Sequence, residues 1–307
     1  MRYSEVAASG IQILMEFISE FSSSSAVDVL SFIKEVVEKF PRLRPDIISH
    51  LLSTLSDIKA KKAFRGALWI LGEYCTEEKD IKDALRAIRN SVGELPILAT
   101  EQRLLESHKD ADEEESEVPV HTTTTRVLAD GTYATESALD PKAAAKLEAV
   151  RGASKPPLRT LILDGDYYLA TILSSTLAKL VMRFSELPDT AELSNSFRAE
   201  AMLTMSSIIG VGQSHFVKVR IDEDSIDRIM SCFRALAEYK EIKDVEEVFL
   251  NETKHAYTTM LQAEDKLRQA QARADQNKSA VQPDDVISIR HLVKKGAEQQ
   301  VDEVPFI

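Results

Sequence analysis

The strongest constraint on this chain is a helical period that recurs in its apolar residues. In "AVDVLSFIKEVVEKF" (26–40), Val29, Leu30, Ile33, Val36, Val37 and Phe40 fall three or four apart, forming one stripe of an amphipathic helix. The preceding "SEVAASGIQILMEFISEF" (4–21) repeats the spacing with Val6, Ile11, Leu14, Phe17, Ile18 and Phe21. Pro41 and Pro45 then interrupt the path, because a proline inside a helix lacks its donor and clashes with the preceding turn. Helical patterns resume in "DIISHLLSTLSDI" (46–58), "GALWILGEYC" (66–75) and "TEEKDIKDALRAIRNSVG" (76–93). Two such helices with their links span about 40 residues, the period of helical solenoid repeats. Strand-like alternation does not recur anywhere along the chain.

The block "GALWILGEYC" sharpens the expectation. Phe64, Ala67, Leu68, Leu71, Tyr74 and Cys75 share one helical face, while Ala63, Trp69 and Ile70 fall on others. A helix apolar nearly all round is covered on more than one side, as happens between neighbouring repeats. Each glycine costs about 1 kcal/mol of helix propensity, and close helix approach at Gly66 and Gly72 is the expected return. The block therefore reads as scaffold.

Residues 93–157 have a different character. The stretch "EQRLLESHKDADEEESEVPV" (101–120) holds eight acidic and two basic residues, a local −6 out of the chain's −12. The following "HTTTTRVLADGTYATESALDPKAAAKLEAVRGASKPP" sustains no stripe beyond a short helix near 141–149. A structureless insertion this long is expected to be disordered or functional. It reads as a solvated, mobile loop, with a docking tether for a basic partner as the alternative.

Helices return at 158. "LRTLILDGDYYLATILSSTLAKLVMRFSEL" is one long apolar pattern interrupted at Gly165 and stopped by Pro188; "TAELSNSFRAEAMLTMSSIIGVG" and "DEDSIDRIMSCFRALAEY" follow. The last of these turns Ile226, Ile229, Met230, Phe233, Leu236 and Ala237 inward, and its acidic start suits a helix N-terminus. From 241 to about 275 the stripe runs through Val245, Val248, Phe249, Tyr257, Met260, Leu261 and Leu267. "VQPDDVISIRHLV" (281–293) reads as an extended strap. The organisation expected is helical repeats over 1–92, an acidic insertion over 93–157, repeats ending in a long helix over 158–275, and strap and tail over 276–307.

Chemistry-bearing patterns are sparse. The six histidines lie far apart without zinc-ligand spacing, and His50 is expected as a partly buried structural residue. "GVGQS" (210–214) lacks the third glycine of a dinucleotide fingerprint and reads as a helix end. Asp164 and Asp166 in "LDGDYY", and the aspartates of "IDEDSID" (221–227), suit either helix caps or a cation; capping accounts for both more simply. No catalytic residue, cofactor site or metal site is assigned, and the chain is read as a non-enzyme. A metal-dependent enzyme using Asp164 and Asp166 stands as the remote alternative. The acidic balance argues against nucleic acid, whose phosphates call for a basic stripe. Two cysteines, the lack of a charged-then-apolar leader and the lack of a long apolar run point to a cytosolic chain. Consecutive Tyr167 and Tyr168 point about 100° apart on a helix. One of them, or Trp69, is the expected aromatic anchor for a partner, against the alternative that multi-sided burial absorbs all three.

The blocks "FRGALWILGEYC", "IRNSVGELPI", "PPLRTLILDGDYYLATILSSTLAKLVMRF", "NSFRAEAMLTMSSII" and "VQPDDVISI" resemble the coatomer beta subunits, a branch of the adaptin large-chain family. "GALWILGEYC" is shared with the wider family, including clathrin-adaptor large chains; "LDGDYYLAT" and "VQPDDVIS" narrow the resemblance to the coatomer branch. The resemblance implies an all-α fold, a right-handed α-solenoid of HEAT/armadillo-like repeats. It implies a middle-to-C-terminal piece of the trunk, without the earliest repeats or the C-terminal β-sandwich appendage. It implies further a structural role in the COPI vesicle coat, in Golgi-to-ER retrograde and intra-Golgi transport. The partners implied are the longin domain of delta-COP and other coatomer subunits. An Arf-family GTPase would contact earlier trunk repeats, and the chain would be cytoplasmic and peripheral on Golgi membranes and COPI vesicles. The alternatives are a clathrin-adaptor large chain or another HEAT-type scaffold.

Overall fold

The computed structural model describes residues 23–113 and 148–279 apart from 59, 149, 151, 189, 239, 240 and 242, together with residues 10, 13, 126–127 and 133–134. The expected helix at 4–21, the short helix near 141–149 for the most part, and the strap at 281–293 lie outside the described residues. The chain divides into two compact units, Met1–Glu252 and Thr253–Ile307.

In the first unit the apolar stripes become helices in the expected order. These are α1 (Ser23–Lys39), α2 (Arg44–Thr54), α3 (Lys61–Tyr74) and α4 (Glu78–Val92). Pro41 opens a 3-10 turn before α2, and Pro45 sits in the first turn of α2, where its missing N–H is harmless. After the acidic region come α6 (Pro157–Leu163), α7 (Tyr167–Glu186), α8 (Ala191–Gly212), α9 (Glu223–Glu238) and the short α10 (Lys243–Glu247), which runs into a π-turn at Val248–Glu252. The break between α6 and α7 falls at Gly165, whose φ of +90° is the left-handed backbone that glycine adopts without strain. A side chain there would also strike Val219. Arg126–Val127 and Tyr133–Ala134 pair antiparallel as two-residue strands, a local departure from an otherwise helical set of described elements.

The helices pack as the two rows of a HEAT-like stack. One row is α1, α3, α7 and α9 side by side; against it lie α2, α4 and α8. Neither row can bury its apolar stripe alone, so stability comes from neighbours. A single cluster runs from Val29 and Leu30 through Phe64, Leu68, Ile88, Leu177 and Phe184 to Leu236 and Leu250. In α1 the predicted stripe is the buried one, with Val29, Leu30, Ile33, Val36 and Val37 all inside. In α9, Ile229 and Leu236 are buried with Cys232 and Ala235, whereas Ala237 is exposed.

One helix stands where an insertion was expected. Residues Ile97–Glu113 form α5, which packs against α8 and buries Ile97 with Leu98 and Leu105 against the core. The helical pattern therefore continues beyond 93, as far as Glu113. The second unit contains α11 (Thr253–Ser279), longer than the 275 limit read from the sequence. On it Met260 and Leu267, expected to point inward, are 49% and 61% exposed.

Candidate functional site

The helix α3 supplies the most chemically distinctive surface. Its residues from Ala63 to Tyr74 are mostly buried, but Lys61, Arg65 and Trp69, spaced four apart, form an edge left open between α1 and α7. Arg65 reaches across to Asp166 at 2.5 Å. That carboxylate, 4% exposed, also accepts the Leu169 N–H at 3.1 Å and so caps α7. With Arg65 fixed in this way, its guanidinium lies 4.7 Å from the centre of the Tyr168 ring, within reach of a cation–π contact. From α1, the Lys34 ammonium sits 4.3 Å over the Trp69 ring. From α9, Arg228 is held by Asp224 at 2.7 Å. The result is a ridge of alternating cations and aromatic rings across α1, α3 and α7.

The three aromatic candidates separate cleanly. Tyr168 is 60% exposed and stands on this ridge beside Arg65. Trp69 is half-buried, packed edge-on against Tyr74 with ring centres 6.0 Å apart. Tyr167 is not a surface residue: it is 4% exposed, and its hydroxyl donates to the Val219 carbonyl at 2.7 Å. Burial, and secondarily the Asp222 charge, push its phenol up to about 12. The 100° offset between the two tyrosines is thus resolved by sending one in and one out.

The carboxylates weighed as cation ligands have other partners. Asp166 turns inward to Arg65 and the helix start, while Asp164 pairs with Lys218 at 2.6 Å. The two do not converge. Asp222 accepts both the Ser225 N–H and hydroxyl at 2.8 Å, which holds it below its ordinary range and caps α9. Among the described residues no group of three His, Cys, Asp or Glu side chains is placed to hold a metal. Cys75 and Cys232 are free and buried, their thiols pushed up by burial to about 12 and about 11; neither is poised as a nucleophile. His50 is exposed, contrary to its expected partial burial, because the α2 stripe that packs is Ile47, Ile48 and Leu51.

Two buried ionic clusters escaped the sequence reading. Glu73, the lone acid of the apolar block, is buried on α3 and bonded to Lys179 of α7, with Arg183 at 3.8 Å. Arg183 also donates to the Gly72 carbonyl, and to that of Cys75 at 3.4 Å. Beside this pair the two backbones approach closely: a Cβ on Gly72 would lie 3.3 Å from the Thr176 Cα, and the Thr176 hydroxyl donates to Leu68 at 3.0 Å. The second cluster joins Glu101 of α5 to Lys155 at 3.2 Å and Arg159 at 3.7 Å, all three nearly inaccessible. Arg159 also donates to the Val92 carbonyl at 3.0 Å and to Glu94.

The family described as "Adaptin N terminal region" matches residues 1–150. Among curated relatives, "Coatomer subunit beta" of Schizosaccharomyces pombe is 48% identical over 306 residues, covering 98% of this chain and 32% of its own length. The proteins of the same name in Saccharomyces cerevisiae and Rattus norvegicus are each 38% identical, over 95% and 96% of this chain and 31% and 30% of theirs. The chain thus spans about a third of the length of these relatives. No solved structure matches it.

Proposed function

This chain belongs to the coatomer beta-subunit family, and from that premise we propose that it is a stretch of non-catalytic helical scaffold in the COPI vesicle coat. It works by presenting the sides of stacked helices to other coat subunits during Golgi-to-ER retrograde and intra-Golgi transport. The observation that carries this reading is the continuity of the stack. The pair α3 and α7 packs directly, with Glu73 bonded to Lys179 although 106 positions separate them in the chain. A surface that runs on past an insertion is what an extended scaffold requires.

The partner that best fits is the longin domain of delta-COP, seated on the helical rows, with Tyr168 and Trp69 among the contacts. An Arf-family GTPase would contact the earlier trunk repeats. The segment acts in the cytoplasm, peripheral on Golgi membranes and COPI vesicles, where it arrives as part of the coat; no helix among the described residues is long and apolar enough to cross a membrane. The test is co-purification with the delta-COP longin domain. A stoichiometric complex at micromolar concentration is expected; absence of any complex there overturns the assignment of partner.

A further inference from the structure

The second unit leaves one helix face open. On α11, Ala256, Met260, Ala263, Leu267, Ala270 and Ala274 recur at spacings of four and three, which puts them on one stripe. All six are exposed, Met260 by 49% and Leu267 by 61%, while Tyr257 and Leu261 on the adjoining side are half-buried. Most of a helix's stability comes from covering such a stripe rather than from propensity. Charge along α11 is polarised. Residues 253–265 carry Lys254 against Glu264 and Asp265, net −1; residues 266–279 carry Lys266, Arg268, Arg273 and Lys278 against Asp275, net +3. The sequence beyond the helix repeats that order. Residues 280–287 hold Asp284 and Asp285 with no cation, net −2, and residues 288–295 hold Arg290, Lys294 and Lys295 with no acid, net +3. The two runs are complementary only when the second turns back along the first.

We propose that this stripe is the seat of the chain's own strap, residues 281–293, running antiparallel along α11. Pro283 cannot continue a helix and biases Gln282 toward extended backbone, so the reversal falls just past Ser279, where α11 ends. The lengths agree: Ala256 to Ala274 is about 27 Å of helix, and residues 284–293 make about 30 Å of extended chain. In that register Ile287 and Ile289 lie over Leu267 and Ala263, and Val293 over Ala256. Asp284 and Asp285 meet the basic end of α11, and Arg290 with the two lysines meets its acidic half. A second copy of α11 fits less well. One edge of the stripe carries Glu264 and Gln271, the other Lys266 and Arg273. Antiparallel copies would set Lys266 against Arg273, and parallel copies would set it against Gln271, so opposite charges do not meet. With the strap seated, the chain beyond 295 leaves beside the start of α11 rather than about 40 Å away at its end. The inference is independent of which coat subunit occupies the helical rows.

The test uses the full chain carrying Leu267→Cys with Ile289→Cys under mild oxidation; Cys75 and Cys232 are buried and stay out of reach. An intramolecular disulfide is expected, forming at least about tenfold faster than with Gln269→Cys and Ile289→Cys. Gln269 is two positions on from Leu267 and about 160° round the helix. Hydrogen exchange gives a readout without new cysteines. Ile287→Asp with Ile289→Asp is expected to speed exchange of the 256–274 amides at least about tenfold, and Val304→Asp to leave it unchanged. Equal rates for the two cysteine pairs, or unchanged exchange in the double variant, overturn the proposal. Disulfide-linked dimers alone overturn it in favour of a second copy. Protection of the stripe that appears only when the delta-COP longin domain is added overturns it in favour of that partner. Loss of the longin complex with the 267–289 disulfide still forming overturns the partner assignment and leaves the strap in place.

Discussion

Removing the Glu73 carboxylate tests how the stack is held together. Glu73→Ala takes from Lys179, whose side chain is 7% exposed, the carboxylate it is bonded to. Arg183 keeps the carbonyls of Gly72 and Cys75 as acceptors, so the loss is that of the Glu73–Lys179 pair across α3 and α7. Breaking one side of a buried ion pair costs about 3–5 kcal/mol, and for a unit of this size each kcal/mol moves the melting temperature by about 2–4 °C. The expected drop is on the order of 10 °C, read by circular dichroism melts and urea titration of the full chain. The decisive comparison is the pair Glu73→Leu with Lys179→Met. Replacing both charges by apolar groups of similar volume is expected to recover all but about 1–2 kcal/mol, because an apolar contact across α3 and α7 needs no desolvation of ions. The reasoning is refuted if Glu73→Ala loses less than about 1 kcal/mol, or if the double variant loses the sum of the singles.

Glycine substitutions separate the two close approaches on α3. Gly72→Ala puts a methyl 3.2 Å from the Thr176 hydroxyl and 3.3 Å from its Cα; backbone must move, and a loss of about 1–2 kcal/mol is expected in urea titration. Gly66→Ala meets only the Leu30 side chain, at 3.2 Å, and the gain in helix propensity should hold the change within about 1 kcal/mol of zero. A pH effect is expected at α10. Burial, then the neighbouring Glu186, raise the Glu246 carboxyl from its ordinary 4.5 to about 6. The protonated form suits the folded chain, so this contribution is present below pH 4.5 and lost as pH rises through 6. Glu186→Gln removes the like charge, so the variant should gain on the parent chain between pH 4.5 and 6 and keep a constant lead above 7. Melts at stepped pH would show it, and a lead that never changes with pH would count against the pairing.

Most of the fold was legible because its helices are amphipathic at a regular spacing. The stripe of α1 and the all-round burial of α3 follow from period alone. What stayed hidden is what the period cannot carry. The segment forming α5 has only Ile97, Leu98, Leu104 and Leu105 as apolar anchors among charges, so it looked like the start of the acidic region. In the structure its stripe is completed by a carboxylate, Glu101, that is as buried as a leucine. The aromatic candidates were found by type but not sorted: the offset of Tyr167 from Tyr168 says that one must face out, and only the packing of α8 and the 213–222 loop decides which. Gly212 is the local reason. Its missing side chain leaves the space occupied by Ile221 and Tyr167. The cation–aromatic ridge joins three helices from distant parts of the chain, and no local pattern announces it.

The two buried clusters share an arrangement that explains how helices far apart in the chain are held in line. In each, a glutamate on one side meets a lysine and an arginine four residues apart on the other: Glu73 with Lys179 and Arg183, Glu101 with Lys155 and Arg159. In both, the arginine also donates to backbone carbonyls at a helix end, Gly72 and Cys75 in one case, Val92 and Glu94 in the other. Those carbonyls have no partner within their own helix, so one side chain satisfies the helix terminus and the buried carboxylate together. Apolar stripes alone would let α7 slide by a turn along α3 at modest cost, since one leucine fits a groove much as another does. A buried carboxylate tolerates no such slip, because a shift of one turn strands charge on both sides. These clusters therefore set the alignment of helices that the chain itself does not hold adjacent, and the sequence carries their trace as a lysine and an arginine spaced at i, i+4 inside or beside an otherwise apolar helix.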